Sequence, residues 1–243
     1  MCAIIERLTD QVIGGNDAEA HAHERYRQIQ QQWEDIGATP KTAQTSLATR
    51  FAAACKAFEK AERQRIQNQL RGEMDALGAH ARLCHDLEVL LANASAADAD
   101  IANSARERRQ TLPALGNNRS AEALQQRFER ICAALAEDAD KRAQLLRELH
   151  ENHASKRELC VRMEIAAGVD SPTEFAQERM AYQIARLSAS LQQRDSTAQI
   201  RQQANAIERE WYAMGSLPAD QDEALEARFQ RALQALLATS PTG

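Results

Sequence analysis

Apolar residues recur every three or four positions along most of the chain, which is the period of amphipathic α-helices. A short helix is predicted over residues 1–13, and a glycine pair ending at Gly15 closes it. A second helix is predicted to run to about residue 36, with Tyr26 and Trp33 on one stripe. The chain is therefore expected to begin with two helices joined by a tight turn.

The pattern over residues 41–93 predicts one long helix. A helix of about 50 residues would be roughly 75 Å long at 1.5 Å per residue. Gly72 and Gly78 lie inside this stretch, and each costs about 1 kcal/mol relative to alanine in a helix. We expect one long helix that these two glycines could bend or break.

The cycle of a shorter and a longer helix then repeats. Further helices are predicted over residues 95–112, 120–167, 171–194, 196–214 and 220–238. The second of these is another long helix, which Gly168 is expected to end. Ser171, Pro172 and Glu174 have the spacing of a capping box with proline at the first helical position, so they are expected to start the next helix.

The motif Leu-x-x-Arg-Phe occurs three times, each time after a predicted turn. Its arginines and phenylalanines are Arg50 and Phe51, Arg127 and Phe128, and Arg228 and Phe229. Trp33 lies four residues before Gly37, and Trp211 lies four residues before Gly215. In the middle copy the residue four before the glycine is Leu112. Internal repetition of this kind is stronger evidence about architecture than any single residue.

A second motif is shared by the two long predicted helices. Residues 83–89, which contain Cys84, match residues 159–165, which contain Cys160, at an offset of 76 residues. Phe51 and Phe128 are 77 residues apart. Two motifs that shift by nearly the same interval indicate a duplicated helical unit.

The arrangement of the first motif predicts how each helical hairpin is held together. Leucine, arginine and phenylalanine at i, i+3 and i+4 share one side of a helix, so Trp33 is expected to pack on Leu47 and Phe51 after the turn. Trp211 is expected to pack likewise on Leu225 and Phe229. The arginine is expected to bond open carbonyls at the end of the incoming helix, or to pair with Glu34 or Asp35. A tryptophan–arginine site for stacking nucleobases is the functional alternative.

These patterns predict an all-α fold, an elongated bundle of repeated helical hairpins with two long helices of about 50 residues and coiled-coil-like packing. Low aromatic content and an excess of Ala, Gln, Arg, Glu and Leu agree with long helices. The predicted divisions are a short N-terminal helix (1–15), three helical repeats (16–94, 95–168 and a truncated 169–238) and a tail (239–243).

Composition narrows the classes of function. The net charge is −5, and charges of both signs are mixed along the chain, which argues against binding nucleic acid by bulk charge. A local cluster of Arg106, Arg108, Arg109 and Arg119 is a candidate interaction patch. No apolar run approaches the length of a membrane helix, and residues 1–13 lack the features of a signal peptide. Five cysteines without paired spacing suggest reduced thiols in a cytoplasm.

Candidate chemistry is sparse. His80 and Cys84 could share one helix face with a metal ion, but no second pair of ligands at suitable spacing accompanies them. Cys55 and Cys132 occupy equivalent places, where the third copy has Leu233, which favours core packing over catalysis. Phosphate-binding loops and nucleophile motifs are missing from the sequence. We therefore expect no enzymatic activity, no catalytic residue, no metal, no cofactor and no small-molecule substrate.

The Trp-x-x-x-Gly turn at residues 33–37, Pro40 and the Leu-x-x-Arg-Phe helix at 47–51 resemble the tandem-repeat family of bacteria called domain of unknown function number 349. Residues 156–172 with 179–183 resemble the C-terminal portion of its proteobacterial members. The resemblance covers most of residues 20–235. It implies long helices in a bacterial cytoplasm, and it brings no activity and no catalytic residues.

The sequence favours a non-catalytic scaffold or adaptor that binds other proteins in the bacterial cytoplasm, without contact with a membrane. The alternative is an RNA- or ribosome-associated protein that uses its local arginine clusters. Partner identity, biological process and oligomeric state do not follow from the sequence.

Overall fold

The fold is all-α in a computed structural model that describes residues 1–15, 19–35, 41–93, 99–136, 139–189, 196–216 and 222–239. Within these ranges the chain forms nine α-helices and one short 3-10 turn, and no strand. The predicted all-α helical bundle is therefore confirmed. Gly37 and Pro40 lie outside the described residues.

The helices follow one another with short connections. They are α1 (Cys2–Gly14), α2 (Glu19–Asp35), α3 (Lys41–Asn93), α4 (Ala99–Gln110), α5 (Arg119–Ala136), α6 (Ala139–Ala167), α7 (Ala176–Ala189), α8 (Thr197–Ala213) and α9 (Asp222–Ala238), with the 3-10 turn at Thr173–Phe175. The long helix predicted over residues 41–93 is confirmed, since α3 has 53 residues and continues through Gly72 and Gly78.

The second long helix, predicted over residues 120–167, is wrong, because α5 and α6 are separate helices that fold back on each other. Arg130 of α5 forms an ion pair with Glu148 of α6. In one straight helix these residues would be about 27 Å apart. No large apolar side chain lies between Leu135 and Leu145, so an uninterrupted helix would have little to bury there.

The end of α6 shows which local signals the chain uses. Gly168 has a left-handed φ of 68°, and the amides of Gly168 and Val169 donate to the carbonyls of Ile165 and Glu164. This is a Schellman ending, so the prediction that Gly168 ends the helix is confirmed. The capping box predicted at Ser171 is wrong, because the Ser171 hydroxyl donates to Glu164 instead.

The chain divides into two compact units, Met1–Gly72 and Glu73–Gly243. The division falls inside α3, whereas the sequence placed the boundary between its first two repeats after residue 94. The core of the first unit comes from α1, α2 and the first part of α3. Its buried residues are Ile5, Leu8, Val12, Ala22, Tyr26, Ile29, Phe51, Ala54, Cys55 and Phe58.

The second unit is built from the rest of α3 and from α4 to α9. Within it α6 packs against α5, α7, α8 and α9, and α5 also packs against α4 and α8. Its most deeply buried large side chains are Met74, Leu91, Leu124, Ile131, Leu135, Met163, Ile207, Phe229 and Glu88. A glutamate in that set indicates that this core contains polar contacts as well as apolar packing.

Candidate functional site

The tryptophans pack on the phenylalanines of the repeated motif. Trp33 stacks on Phe51 with ring centroids 4.1 Å apart, and Trp211 stacks on Phe229 at 3.9 Å, each pair within 6° of parallel. The predicted aromatic contacts are therefore confirmed at both hairpins. Leu47, which was also expected beneath Trp33, is exposed to solvent.

In the middle copy, which lacks the tryptophan, an arginine packs on the phenylalanine ring. The guanidinium carbon of Arg109 lies 4.6 Å from the centroid of the Phe128 ring. A cation over an aromatic face is attractive and also covers apolar area. Arg109, predicted to belong to a basic patch, thus takes the place of the indole in this hairpin.

Neither face of Trp211 is open to a ligand. One face carries Phe229, and the Lys156 ammonium lies 4.2 Å from the centroid of the indole ring. The indole N–H donates to the Glu226 carboxylate at 3.2 Å. A nucleobase therefore has no face of Trp211 on which to stack.

Each arginine of the motif binds a glutamate through a two-pronged contact. Arg127 donates from Nε and Nη2 to Glu88 at 2.8 and 2.7 Å, and Arg228 donates to Glu164 at 3.0 Å through the same two nitrogens. Arg50 uses Nε and Nη2 on Glu6, both at 3.1 Å. The prediction that Arg50 pairs with Glu34 or Asp35 is wrong.

Arg127 binds an open helix carbonyl, but the predicted carbonyl at the end of its own incoming helix is not the one that it contacts. Its Nη1 donates to the main-chain oxygen of Tyr212 at 2.8 Å. Tyr212 lies in the last turn of α8, where carbonyls have no partner within the helix. The carbonyl belongs to the hairpin of the third motif copy, so this arginine joins two repeats rather than closing its own.

The three glutamates belong to a repeated pattern of their own. Each follows a cysteine by four residues and an apolar residue by one, and the copies are Cys2-x-x-Ile5-Glu6, Cys84-x-x-Leu87-Glu88 and Cys160-x-x-Met163-Glu164. Sequence reasoning found the second and third copies and missed the first, which has Arg7 where the other two copies have Val89 and Ile165. In every copy the glutamate of this motif binds the arginine of a Leu-x-x-Arg-Phe motif.

These contacts define three modules of three helices each. The first module comprises α1, α2 and the part of α3 up to residue 72, and the second comprises the rest of α3 with α4 and α5. The third comprises α6, α8 and α9, with the 3-10 turn and α7 inserted after its first helix. In each module the first helix supplies the glutamate and the last supplies the arginine.

The three ion pairs differ strongly in burial. The Glu and Arg side chains are 46% and 60% exposed in the first module, 0% and 9% in the second, and 3% and 7% in the third. Exposed pairs contribute little to stability, whereas loss of one partner from a buried pair leaves an uncompensated charge. The same contact therefore has different energetic weight in different modules.

The end of α8 covers the second pair. A Cβ on Gly215 would collide with the Glu88 carboxylate and lie 2.9 Å from Nε of Arg127. The Gly215 carbonyl accepts a hydrogen bond from the Asn152 amide at 3.0 Å, which holds the turn in place. Gly215 is thus required for close approach to the ion pair, rather than for a left-handed turn.

The inserted segment covers the third pair. The ring of Phe175 lies 3.7 Å from the guanidinium carbon of Arg228, and the Ser171 hydroxyl donates to Glu164 at 2.5 Å. Arg179 donates to Ser171 at 3.0 Å and to the carbonyl of Val169 at 2.8 Å. The 3-10 turn and the start of α7 therefore seal this pair from water.

The candidate basic patch is partly neutralised within the chain. Arg108 pairs with Asp86 at 3.4 Å and Arg109 with Glu129 at 3.7 Å, while Arg106 donates to Asn103. Arg106, Arg108 and Arg119 are exposed.

Buried thiols and the buried histidine are held in unreactive forms. Desolvation raises the pKa of Cys84 to about 11 and that of Cys160 to about 12, so both remain thiols at neutral pH. The Nε2 atom of His80 lies 2.9 Å from the Pro113 carbonyl, which can only accept, so Nε2 carries a proton. Burial lowers the pKa of His80. Among the described residues no three potential ligands lie together as a metal site.

A cavity of about 590 Å³ lies beside the second ion pair. Its basic lining residues include Arg108, Arg127 and Lys156, which contact Asp86, Glu88 and the ring of Trp211 respectively. Because these three cations already have partners in the chain, they do not by themselves specify a ligand for the cavity.

None of the described helices is long and apolar enough to cross a lipid bilayer. No protein-family model matches the sequence, and no curated protein or solved structure matches it either. The resemblance to the tandem-repeat family therefore stays a prediction.

Proposed function

We propose that this chain is a non-catalytic helical scaffold that binds another protein in the bacterial cytoplasm. The observation that carries the proposal is the threefold recurrence of one module, in which the motif arginine is bound to a glutamate of the same module. Proteins built from repeated helical modules commonly use the surfaces of those modules to bind partners. In such a protein the buried repeated residues build the framework, and exposed helix faces recognise the partner.

Exposed apolar side chains support this proposal. Met180 and Ile184 lie one turn apart on α7 and are both well exposed. Spacings of i and i+4 are those of apolar anchors in helix-mediated recognition. The helix that carries them is held at its start, where Arg157 pairs with Glu178 at 2.6 Å.

Local charge pairing favours a protein over RNA as the partner. Arg108 and Arg109 of the arginine cluster face carboxylates, which reduces the positive field available to phosphates. The net charge of −5 acts in the same direction.

The test is tagged purification of the full chain from its native cells, with and without RNase, at low and high salt. We expect one protein to co-purify in fixed proportion, and its binding to persist after RNase treatment and at high salt. When that protein is tagged instead, this chain should co-purify with it. Recovery of RNA or ribosomes, with binding that falls steeply as salt rises, would instead support the RNA-associated alternative.

A further inference from the structure

Arg127 shows how a module of this chain accepts a neighbouring helix. Two of its nitrogens hold Glu88, and the third, Nη1, binds the carbonyl of Tyr212 at the end of α8. The pair is neutral as a whole because Glu88 balances the guanidinium charge. A neutral ion pair with one spare N–H suits the partly negative carbonyl end of a helix.

Arg50 of the first module makes the same contact with a glutamate but not the contact with a helix carbonyl. Its Nε and Nη2 hold Glu6 as Arg127 holds Glu88. Among the described residues no acceptor is bound to Nη1 of Arg50, and the side chain is mostly exposed. In the second module this N–H group of the arginine binds the end of α8. In the first module the equivalent N–H group of Arg50 has no acceptor among the described residues.

An apolar neighbour extends this surface. Leu47, one turn before Arg50, is 47% exposed, whereas its equivalents Leu124 and Leu225 are 1% and 4% exposed. We call Glu6, Leu47 and Arg50 the open face. It combines apolar area with a directional donor, as protein interfaces do.

We propose that the open face binds the C-terminal end of a helix from a partner protein, closed by a glycine, whose free carbonyl accepts from Nη1 of Arg50. The end of α8 shows the chemistry that such an occupant needs, since Tyr212 supplies the carbonyl and Gly215 allows close approach. The assignment rests on the proposed scaffold function and names the partner chemistry of one surface.

Charge complementarity selects this occupant over a phosphate. Glu6 already neutralises Arg50, and a phosphate brought to the open face would be repelled by the Glu6 carboxylate. A main-chain carbonyl carries only a partial charge and needs a single aligned N–H. The open face is therefore suited to protein main chain rather than to nucleic acid.

The experiment places a photo-crosslinking amino acid at Leu47 of the full chain in its native cells. The crosslinked protein is identified, and the attachment site is mapped by mass spectrometry. We expect attachment in the last turn of a partner helix, next to a glycine. A second sample carries Arg50→Gln, which should reduce the yield about tenfold, since a hydrogen bond from a charged donor is lost.

The matched control is Arg63→Gln, which changes another exposed arginine of α3 and should leave the yield unchanged. Circular dichroism melting of the Arg50→Gln chain should match the unmodified chain, because the Glu6–Arg50 pair is exposed. Equal yields with and without Arg50→Gln, attachment away from a helix end, attachment to RNA or to a second copy of this chain, or no attachment would each overturn the assignment.

The two proposals fail in different ways. If a protein co-purifies with the chain but Leu47 gives no Arg50-dependent attachment, the open face is not the docking surface and the scaffold function stands. If no protein co-purifies and nothing attaches at Leu47, the scaffold function fails as well.

Discussion

The first and second modules place the same ion pair in opposite surroundings. Glu6 and Arg50 lie largely in water, whereas Glu88 and Arg127 are enclosed by α8 and the turn at Gly215. In water the attraction between the charges is screened and competes with side-chain entropy. In the interior each charge has lost its hydration and depends on the other. Identical local geometry therefore says little about stability until the neighbouring helix is known.

Removal of the arginines should separate the two pairs most strongly. Arg127→Met leaves Glu88 buried without a counter-charge and should cost about 3–5 kcal/mol, whereas Arg50→Met should cost at most about 1 kcal/mol. Urea unfolding can follow each unit by fluorescence in single-tryptophan chains: Trp33 reports on the first unit in a Trp211→Phe chain, and Trp211 reports on the second in a Trp33→Phe chain.

A double substitution gives the control for this comparison. Glu88→Leu added to Arg127→Met removes the stranded charge and should recover most of the lost stability. Equal losses from Arg127→Met and Arg50→Met would show that burial does not distinguish the two pairs.

The aromatic stacks should be nearly equal in the two units. Phe229→Ala and Phe51→Ala each delete a buried ring against a tryptophan, and each should cost about 3–5 kcal/mol. The larger value is expected at Phe229, which is fully enclosed. An unchanged unfolding midpoint for either variant, measured in urea, would contradict its packing.

Two glycines should respond to alanine with opposite signs. Gly215→Ala forces a methyl group against the Glu88–Arg127 pair and should destabilise the second unit by about 1–3 kcal/mol. Gly72→Ala meets nothing within 4 Å inside α3 and should stabilise that helix by about 1 kcal/mol. Thermal melting of both variants measures the contrast, and a stabilising Gly215→Ala would contradict the close approach.

Mild acid should lower the free energy of unfolding of the second unit more than that of the first. This is the smallest effect among the predictions. Burial lowers the pKa of His80 in the folded chain, so folding favours its neutral form. That stability is present above the unfolded pKa of about 6.5 and is lost as pH falls through the folded value. His21 and His23 in the first unit are exposed. His80→Gln should remove this pH dependence from the Trp211-monitored unfolding curve, whereas His21→Gln should leave it unchanged.

The two junctions between modules show where sequence reasoning succeeds and fails. The helix from Phe58 to Met74 has no buried residue between these two ends, yet it stays helical, with Arg65 donating to Glu62 and Gln64 to Asn68. The corresponding stretch after Leu135 contains Glu137, Asp138 and Asp140 within four positions. Like charges and aspartate both disfavour a continuous helix, so this break could have been predicted from composition.

The arginine partners show a different kind of failure. Glu6, Glu88 and Glu164 lie 44, 39 and 64 residues before their arginines, so no single spacing connects the two motifs. The repeated Cys-x-x-apolar-Glu pattern identifies the three glutamates as equivalent positions. Only the folded chain shows which arginine each of them binds. Long-range pairing of charges depends on how helices pack, and helical periodicity carries no information about it.

Periodicity and turn residues by themselves determined the all-α fold, the long helix α3 and the stacking of each tryptophan on its phenylalanine, because these depend on contacts close along the chain. Tertiary structure alone decided which glutamate each arginine binds and which ion pair is enclosed. The physical reason is that burial and charge pairing depend on which segments, distant in the sequence, pack beside a residue. A residue against which no segment packs stays exposed to water.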